Sequence, residues 1–122
     1  MKKIILSLVV MFILFAANSY AQEQISSKDA KDNIGKIIQV KGQVSTIFVS
    51  KKGTTFINFD DKSPNQTFTV VLMSETSVDI SKIKEGSILT VYGEIKEYKG
   101  KPEIVLATAD QIISVEGNQD SK

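Results

Sequence analysis

The 122-residue sequence contains no cysteine, no histidine and no arginine. Without histidine and cysteine, the chain lacks the usual zinc ligands, the commonest general base and the thiol nucleophile. No disulfide can cross-link it, so a mature domain of roughly 100 residues must be held together by its core alone. The acidic residues show no spacing typical of a catalytic pair, and no nucleotide-binding loop occurs. We therefore expect a protein that is not an enzyme and needs no cofactor.

The N-terminus has the pattern of a secretory signal peptide. Two lysines precede an apolar run over Ile4–Ala17, which is broken by a single serine and is too short for a comfortable membrane span. Small residues follow at Ser19 and Ala21, as in a cleavage site. We expect cleavage after Ala21, an exported periplasmic or secreted product beginning at Gln22, and no stable membrane anchor. An uncleaved anchor is the alternative.

The charge balance argues against a strongly basic surface. All fifteen basic residues are lysines, against fourteen Asp and Glu, and removing the two lysines of the signal peptide leaves thirteen against fourteen, a net charge of −1. Nonspecific nucleic-acid binders are usually strongly basic, because neutralising phosphates drives their affinity. Any anion site in this chain must therefore be a local patch.

Hydrophobic periodicity predicts an all-β domain over 22–116 with two short helical segments, followed by a disordered tail over 117–122. A helix is predicted over Ile25–Gly35, with Ser26 or Ser27 as its cap and with Ala30 and Ile34 on one face. A second helical turn is predicted over 74–86, capped by Ser77 and facing the core with Val78, Ile80 and Ile83. Strands are predicted over 36–49, 54–60, 67–73, 87–98 and 103–106, with a last edge over 110–115.

Alternation within these strands predicts which side chains form the core. By this alternation Phe48 and Leu72 fall on the inward side of their strands, while Phe56 falls on the outward side. Gly42 and Gly93 interrupt the two longest strands, as expected where a strand bends to serve two sides of a barrel. The predicted core comprises Ile38, Val40, Val44, Ile57, Phe59, Phe68, Val70, Leu89, Val91, Ile95, Ile104 and Leu106.

Three strands, a short helix and two further strands are the element order of the OB-fold, a five-stranded and partly open barrel. The segments "IGKIIQVKGQV", "GTTFINFDD", "FTVVL" and "VYGEIKEYKGKPEIVLATADQI" span Ile34–Ile112. In these segments the chain resembles exported bacterial, Bacteroidetes-like OB-fold proteins of the nucleic-acid-binding group. "FINFDD" is also similar to the second strand of the anticodon-binding OB domains of aminoacyl-tRNA synthetases. That resemblance implies that Phe56 stacks on a base, whereas Asp60 stands where those domains carry an arginine.

OB-folds bind oligonucleotides on the face of their second and third strands and on two neighbouring loops. The exposed Phe56 would supply a stacking platform and the loop lysines would contact phosphate. The predicted nucleic-acid site comprises Lys41, Gln43, Lys51, Lys52, Phe56, Asn58, Thr69, Tyr92, Tyr98, Lys99 and Lys101.

Each of these features has a purely structural alternative. The N-terminal helix could cover Phe56, the lysines could be solubilising guards of hairpin turns, and Tyr92 and Tyr98 could fill a half-buried outer face. The adjacent acids Asp60 and Asp61 are better explained by a turn than by a cation site. The leading hypothesis is a binding module for single-stranded nucleic acid, and the alternative partner is an envelope protein or a saccharide.

Overall fold

The computed structural model describes residues 23–117. The predicted signal peptide with its cleavage point after Ala21, and the tail beyond residue 117, lie outside the described residues. None of the helices between residues 23 and 117 has the length and hydropathy needed to cross a membrane.

The described residues form an all-β fold with two 3-10 helices, Ser27–Asp32 and Ala109–Gln111. The strands are β1 Gln24–Ser26, β2 Ile37–Val49, β3 Thr55–Phe59, β4 Phe68–Leu72, β5 Ile88–Glu94, β6 Lys96–Tyr98, β7 Lys101–Val105 and β8 Ile112–Glu116. They lie in one sheet in the order β6-β7-β4-β3-β2-β5-β8, and β1 pairs with β2 in parallel outside this path. The prediction of an all-β protein is confirmed. The five-stranded barrel is corrected to an open sheet of eight strands.

Strand β2 connects the two halves of the sheet. Its first half, Ile37–Gln43, pairs with β5, and its second half, from Val44 onward, pairs with β3. Gly42 lies at this junction, where an added Cβ atom would sit 2.1 Å from the Oγ of Ser27 and 2.9 Å from the ring of Phe59. Glycine is therefore required at this position so that the first 3-10 helix can approach the strand.

The core is the one that alternation predicts. All twelve predicted core residues are at most 2% exposed. Ala30, Leu72 and Ile83 complete the same cluster. Full burial of each larger apolar side chain contributes about 1.5–3 kcal/mol, so a slip of one residue in any strand would be costly.

The inward placement of Phe48 is wrong. Val44 pairs with Phe59 but Thr46 pairs with Asn58, so β2 advances by two residues while β3 advances by one. This β-bulge shifts the alternation, with the result that Ile47 packs against the core while Phe48 is 58% exposed.

The N-terminal helix is shorter and tighter than predicted. Residues Gln24–Ser26 form β1, and the helix that follows is a 3-10 helix. Ser26 caps this helix, because its hydroxyl accepts a hydrogen bond from the N–H of Lys28 at 3.2 Å. Three residues per turn place Ser27 and Ala30 together in the interior, and Ile34 is 40% exposed rather than beside Ala30.

The predicted helix over 74–86 is also absent, although its apolar residues face the core as expected. Ile83 is buried, and Val78 and Ile80 pack against the core. The segment instead consists of separate turns, because the Asp79 carboxylate accepts a hydrogen bond from the N–H of Ser81 and β-branched residues are poor helix formers. The hydrogen bonds from the N–H and hydroxyl of Ser81 lower the pKa of Asp79.

The predicted strand over 87–98 is divided at Ile95. Strand β5 pairs with β2 and β8, whereas β6 crosses to pair with β7. The N–H of Ile95 donates to the carbonyl of Lys36 at 2.9 Å, which fixes the point of division. Strand β7 begins at Lys101, two residues earlier than predicted, and lies parallel to β4. The pairing of β7 with β4 brings the β6–β7 hairpin beside the outward side of β3 and β4.

Candidate functional site

The outward side of β2, β3, β4 and β7 carries a continuous apolar row. Phe48 pairs with Phe56, Phe56 pairs with Val71, and Val71 pairs with Val105. The two phenylalanine rings are stacked, with centroids 6.3 Å apart and planes inclined by 26°. We call these four residues, together with Tyr98 at their margin, the aromatic face.

A polar row lies beside the apolar one, two residues along each strand. The amide of Asn58 donates to the hydroxyl of Thr46 at 3.0 Å and accepts from the hydroxyl of Thr69 at 3.1 Å. The side-chain amide of Gln66 donates to Thr69 at 3.2 Å, while its Oε1 atom is buried without a hydrogen-bond partner among the described residues. Asn58 and Thr69 therefore use their polar groups internally, and the Gln66 oxygen is the acceptor left over at the end of the row.

Members of both rows line a groove of about 590 Å³. Phe56 is half-buried in it and is not covered by the N-terminal 3-10 helix. The groove is lined by Phe48, Phe56, Asn58, Ser63, Pro64, Gln66, Thr69, Tyr98, Lys99, Lys101 and Glu103.

The β6–β7 hairpin forms the wall of the groove. Tyr98 pairs with Lys101 across a two-residue turn in which both Lys99 and Gly100 have positive φ, at 51° and 80°. Such turns match the natural twist of a hairpin. The Lys99 ammonium lies 5.4 Å from the centroid of the Tyr98 ring, and the Lys101 ammonium donates to the carbonyl of Gln66 at 3.3 Å. The hairpin thus places one aromatic ring and two cations at the rim.

The groove also contains one carboxylate. Glu103 lies between Thr69 and Lys96 in the register of β4, β7 and β6. Partial burial raises the pKa of the Glu103 carboxyl above its ordinary value, and the charge of Lys96 only partly opposes this effect. The site therefore combines two rim cations with an acceptor that is unusually easy to protonate.

The structure brings together six of the eleven sequence-predicted site residues: Phe56, Asn58, Thr69, Tyr98, Lys99 and Lys101. The other five lie outside the groove. Lys51 and Lys52 are exposed in the β2–β3 turn. Lys41 pairs with Glu116 at 3.7 Å, Gln43 donates to the carbonyl of Gly86 at 3.4 Å, and Tyr92 is half-buried on β5, in register with Gln39.

Five residues of the groove were missed from the sequence: Phe48, Ser63, Pro64, Gln66 and Glu103. Phe48 was missed because a bulge cannot be recognised by strict alternation. Gln66 lies in the loop before β4, where alternation does not predict which way a side chain faces. Glu103 alternates with the buried residues Pro102 and Ile104, and this signal could have identified it as facing outward.

The acids at the end of β3 hold the fold together locally. Asp60 accepts hydrogen bonds from the hydroxyls of Ser27 and Thr67, and Asp61 accepts one from the N–H of Lys62 at 2.8 Å. Between residues 23 and 117, His, Cys, Asp and Glu nowhere form a group of three suited to a metal ion.

Residues 38–116 match the family model for tRNA anti-codon domains, described as an OB-fold nucleic acid binding domain. Because the match spans more than half of the sequence, the chain belongs to this family of OB-fold nucleic acid binding domains. No curated protein matches the chain.

Solved structures share this fold at low sequence identity. A chain described as an aspartyl-tRNA synthetase from Leishmania major Friedlin is 15% identical with a TM-score of 0.53, and the match covers 73% of the present chain and 20% of that one. An OBody bound to hen egg-white lysozyme is 11% identical with a TM-score of 0.53, covering 73% and 90% of the two chains. The present chain thus corresponds to about a fifth of the synthetase, and at these identities the similarity shows the fold alone.

Proposed function

We propose that the chain is a binding module for single-stranded nucleic acid and that the strand lies in the groove on the aromatic face. The observation that carries this proposal is the position of Phe56, half-buried in an open groove, stacked against Phe48 and faced by Tyr98 and two lysines at the rim. Membership of an OB-fold nucleic acid binding family supports it.

The groove offers the two interactions that single strands use. A base stacked on an aromatic side chain contributes about 1–3 kcal/mol and needs no particular sequence, since every base has a flat face. Lys99 and Lys101 stand at the rim of the same groove, where they can neutralise phosphates.

Affinity should be modest. The net charge gives no long-range attraction for a polyanion, and Glu103 places a negative charge within the groove. We expect a dissociation constant in the micromolar range or weaker at physiological salt.

The test is a fluorescence anisotropy titration of the protein with a labelled single-stranded oligonucleotide over a range of salt concentrations. If Lys99 and Lys101 each neutralise one phosphate, log affinity should fall with log salt at a slope at least as steep as about −1.4, at about −0.7 per contact. An absence of binding even at about 20 mM salt, where phosphate contacts are strongest, would exclude the proposed function.

A protein or a saccharide is the second candidate partner, because the groove exposes more apolar surface than a phosphate-binding site requires. Phe48 and Tyr98 are both 58% exposed. Adding an oligosaccharide to the same titration distinguishes the two candidates. If the oligosaccharide does not displace the labelled oligonucleotide, the result favours nucleic acid. If the oligosaccharide binds and the oligonucleotide does not, the result favours the second candidate.

We also propose that the module is not catalytic and acts after export. The first part rests on the lack of histidine and cysteine, and the second on the charged start and the apolar run over Ile4–Ala17. N-terminal sequencing of the protein from its natural host should find Gln22 as the first residue. Retention of Met1 in the membrane fraction would replace export with anchoring.

A further inference from the structure

A second pocket of about 260 Å³ adjoins the groove and carries three lysines. Lys28 and Lys31 come from the first 3-10 helix and Lys101 from β7, while the loop before β4 and the β6–β7 hairpin supply the rest of the wall. We call it the lysine pocket; its other lining residues are Asn65, Gln66, Thr67, Gly100 and Pro102. Among residues 23–117 no carboxylate lines it, so this lining has a charge of +3 in a chain that is nearly neutral overall.

The 3-10 geometry sorts the charges of this helix. With three residues per turn, side chains three apart lie above one another. Ser27 and Ala30 form the buried row, Lys28 and Lys31 form the row that lines the pocket, and the two aspartates of the helix fall on the remaining side. The two lysines are therefore presented together, without the adjacent acids that would neutralise them.

Asp60 fixes the helix in this position. The Ser27 hydroxyl, which is 1% exposed, donates to Oδ2 of Asp60 at 2.6 Å, and the Thr67 hydroxyl donates to the same oxygen. Ser27 is also packed tightly against Gly42. This carboxylate thus ties the helix, the end of β3 and, through Thr67, the wall of the pocket together, while Asp60 does not itself line the pocket and accepts hydrogen bonds from two hydroxyl groups.

The lysine pocket shares a wall with the groove. Gln66 and Lys101 line both, and their contact at 3.3 Å forms the ridge between them. We infer that the lysine pocket binds one phosphodiester of the strand whose base stacks on the aromatic face, so that the strand crosses the ridge toward the 3-10 helix. This inference rests on the proposed function and adds the path of the strand and its principal phosphate site.

The experiment combines a protein variant with a neutralised phosphate. Affinities for wild type and Lys28→Gln/Lys31→Gln are measured against an oligonucleotide and against copies of it that each carry one uncharged methylphosphonate linkage. The variant should flatten the log–log salt slope by about 0.7, the contribution of the one phosphate that the pocket neutralises. One linkage should exist whose neutralisation weakens the wild type severalfold and leaves the variant unchanged.

Lys82→Gln/Lys84→Gln is the matched control, because it removes the same charge from exposed positions outside both cavities. This control variant should have the same log–log salt slope as the wild type. The same methylphosphonate linkage should weaken its binding. Oligonucleotide binding with an unchanged slope in Lys28→Gln/Lys31→Gln would overturn the inference and leave the proposed function intact.

A titration with inorganic phosphate separates the remaining outcomes. Phosphate alone could shift the backbone amides of Lys28 and Lys31 while every methylphosphonate linkage affects the wild type and the variant equally. That combination would mean that the pocket binds a free phosphate group and not the strand. A wild type that does not bind the oligonucleotide at all contradicts the proposed function and this inference together.

Discussion

Two outer regions of the same sheet have a similar composition but different surroundings. The aromatic face, on β2, β3, β4 and β7, contributes Phe48, Phe56 and Tyr98 to a groove. The region we call the β5 face consists of Lys41, Gln43 and Tyr92, and it too offers a cation, an amide and an aromatic ring. There, however, Lys41 pairs with Glu116 of β8, and Gln43 contacts the carbonyl of Gly86. The comparison teaches that a set of suitable residues becomes a candidate site only where the fold arranges them around a groove.

The largest expected difference between the two regions is in stacking. Phe56→Ala should weaken oligonucleotide binding by about 1–3 kcal/mol at a nearly unchanged salt slope, because a ring is removed and no charge is altered. Tyr92→Ala, on the β5 face, should change the affinity less than twofold. Anisotropy titrations at a single low salt concentration measure both.

Equal losses in these two variants would break the comparison, since they would place nucleic acid on both regions. Ile113→Ala serves as a control, because Ile113 is an exposed apolar residue on β8 that lines neither cavity.

The same comparison shows how far the sequence allowed prediction. The interior followed from alternation, because burial on one side imposes a period of two, and every predicted core residue is buried. The aromatic face was predicted only in part. Phe56 was placed correctly, but the bulge after Val44 turned Phe48 outward, and no local pattern marks a bulge.

Which outward residues line a groove was the information missing from the sequence. Lys41 and Tyr92 alternate outward like Phe56, and only the tertiary fold places the β6–β7 hairpin so that Phe56 lies in a groove and the other two do not. The charge pattern of the first 3-10 helix was likewise not predicted, because an α-helix was expected there. In an α-helix, side chains three residues apart do not lie directly above one another as they do in a 3-10 helix.

A smaller difference is expected between the lysines of the two regions. Lys99→Gln/Lys101→Gln should flatten the log–log salt slope by about 1 to 1.5, because each lysine neutralises about one phosphate. Lys41→Gln should leave the slope unchanged, since its ammonium already faces Glu116. A slope that falls equally for Lys41→Gln would mean that phosphate binding is distributed over the sheet and not confined to the groove.

The smallest expected effect concerns Glu103 and pH. Because the pKa of Glu103 is raised on folding, its stabilising contribution is complete below its ordinary pKa of 4.5 and is lost as the pH rises through the folded value. Glu103→Gln should therefore stabilise the protein at neutral pH, by at most about 0.5 kcal/mol at this partly exposed site, with the gain vanishing below about pH 4.5.

The same substitution should strengthen oligonucleotide binding at neutral pH, since it removes a negative charge from the groove. Denaturant unfolding and anisotropy at several pH values provide the two measurements. A weaker affinity of Glu103→Gln at neutral pH would instead indicate that the carboxylate accepts an essential hydrogen bond from a base.

The central claim, that one side of the sheet carries the site, is tested most directly by mapping backbone amide shifts during an NMR titration with a short single-stranded oligonucleotide. The account predicts that the shifts concentrate on the strand segments around Phe48, Phe56 and Thr69, on the loop at Gln66 and on the β6–β7 hairpin, while the amides of Lys41 and Tyr92 remain still. Shifts centred on β5 and β8, with the groove unaffected, would contradict it.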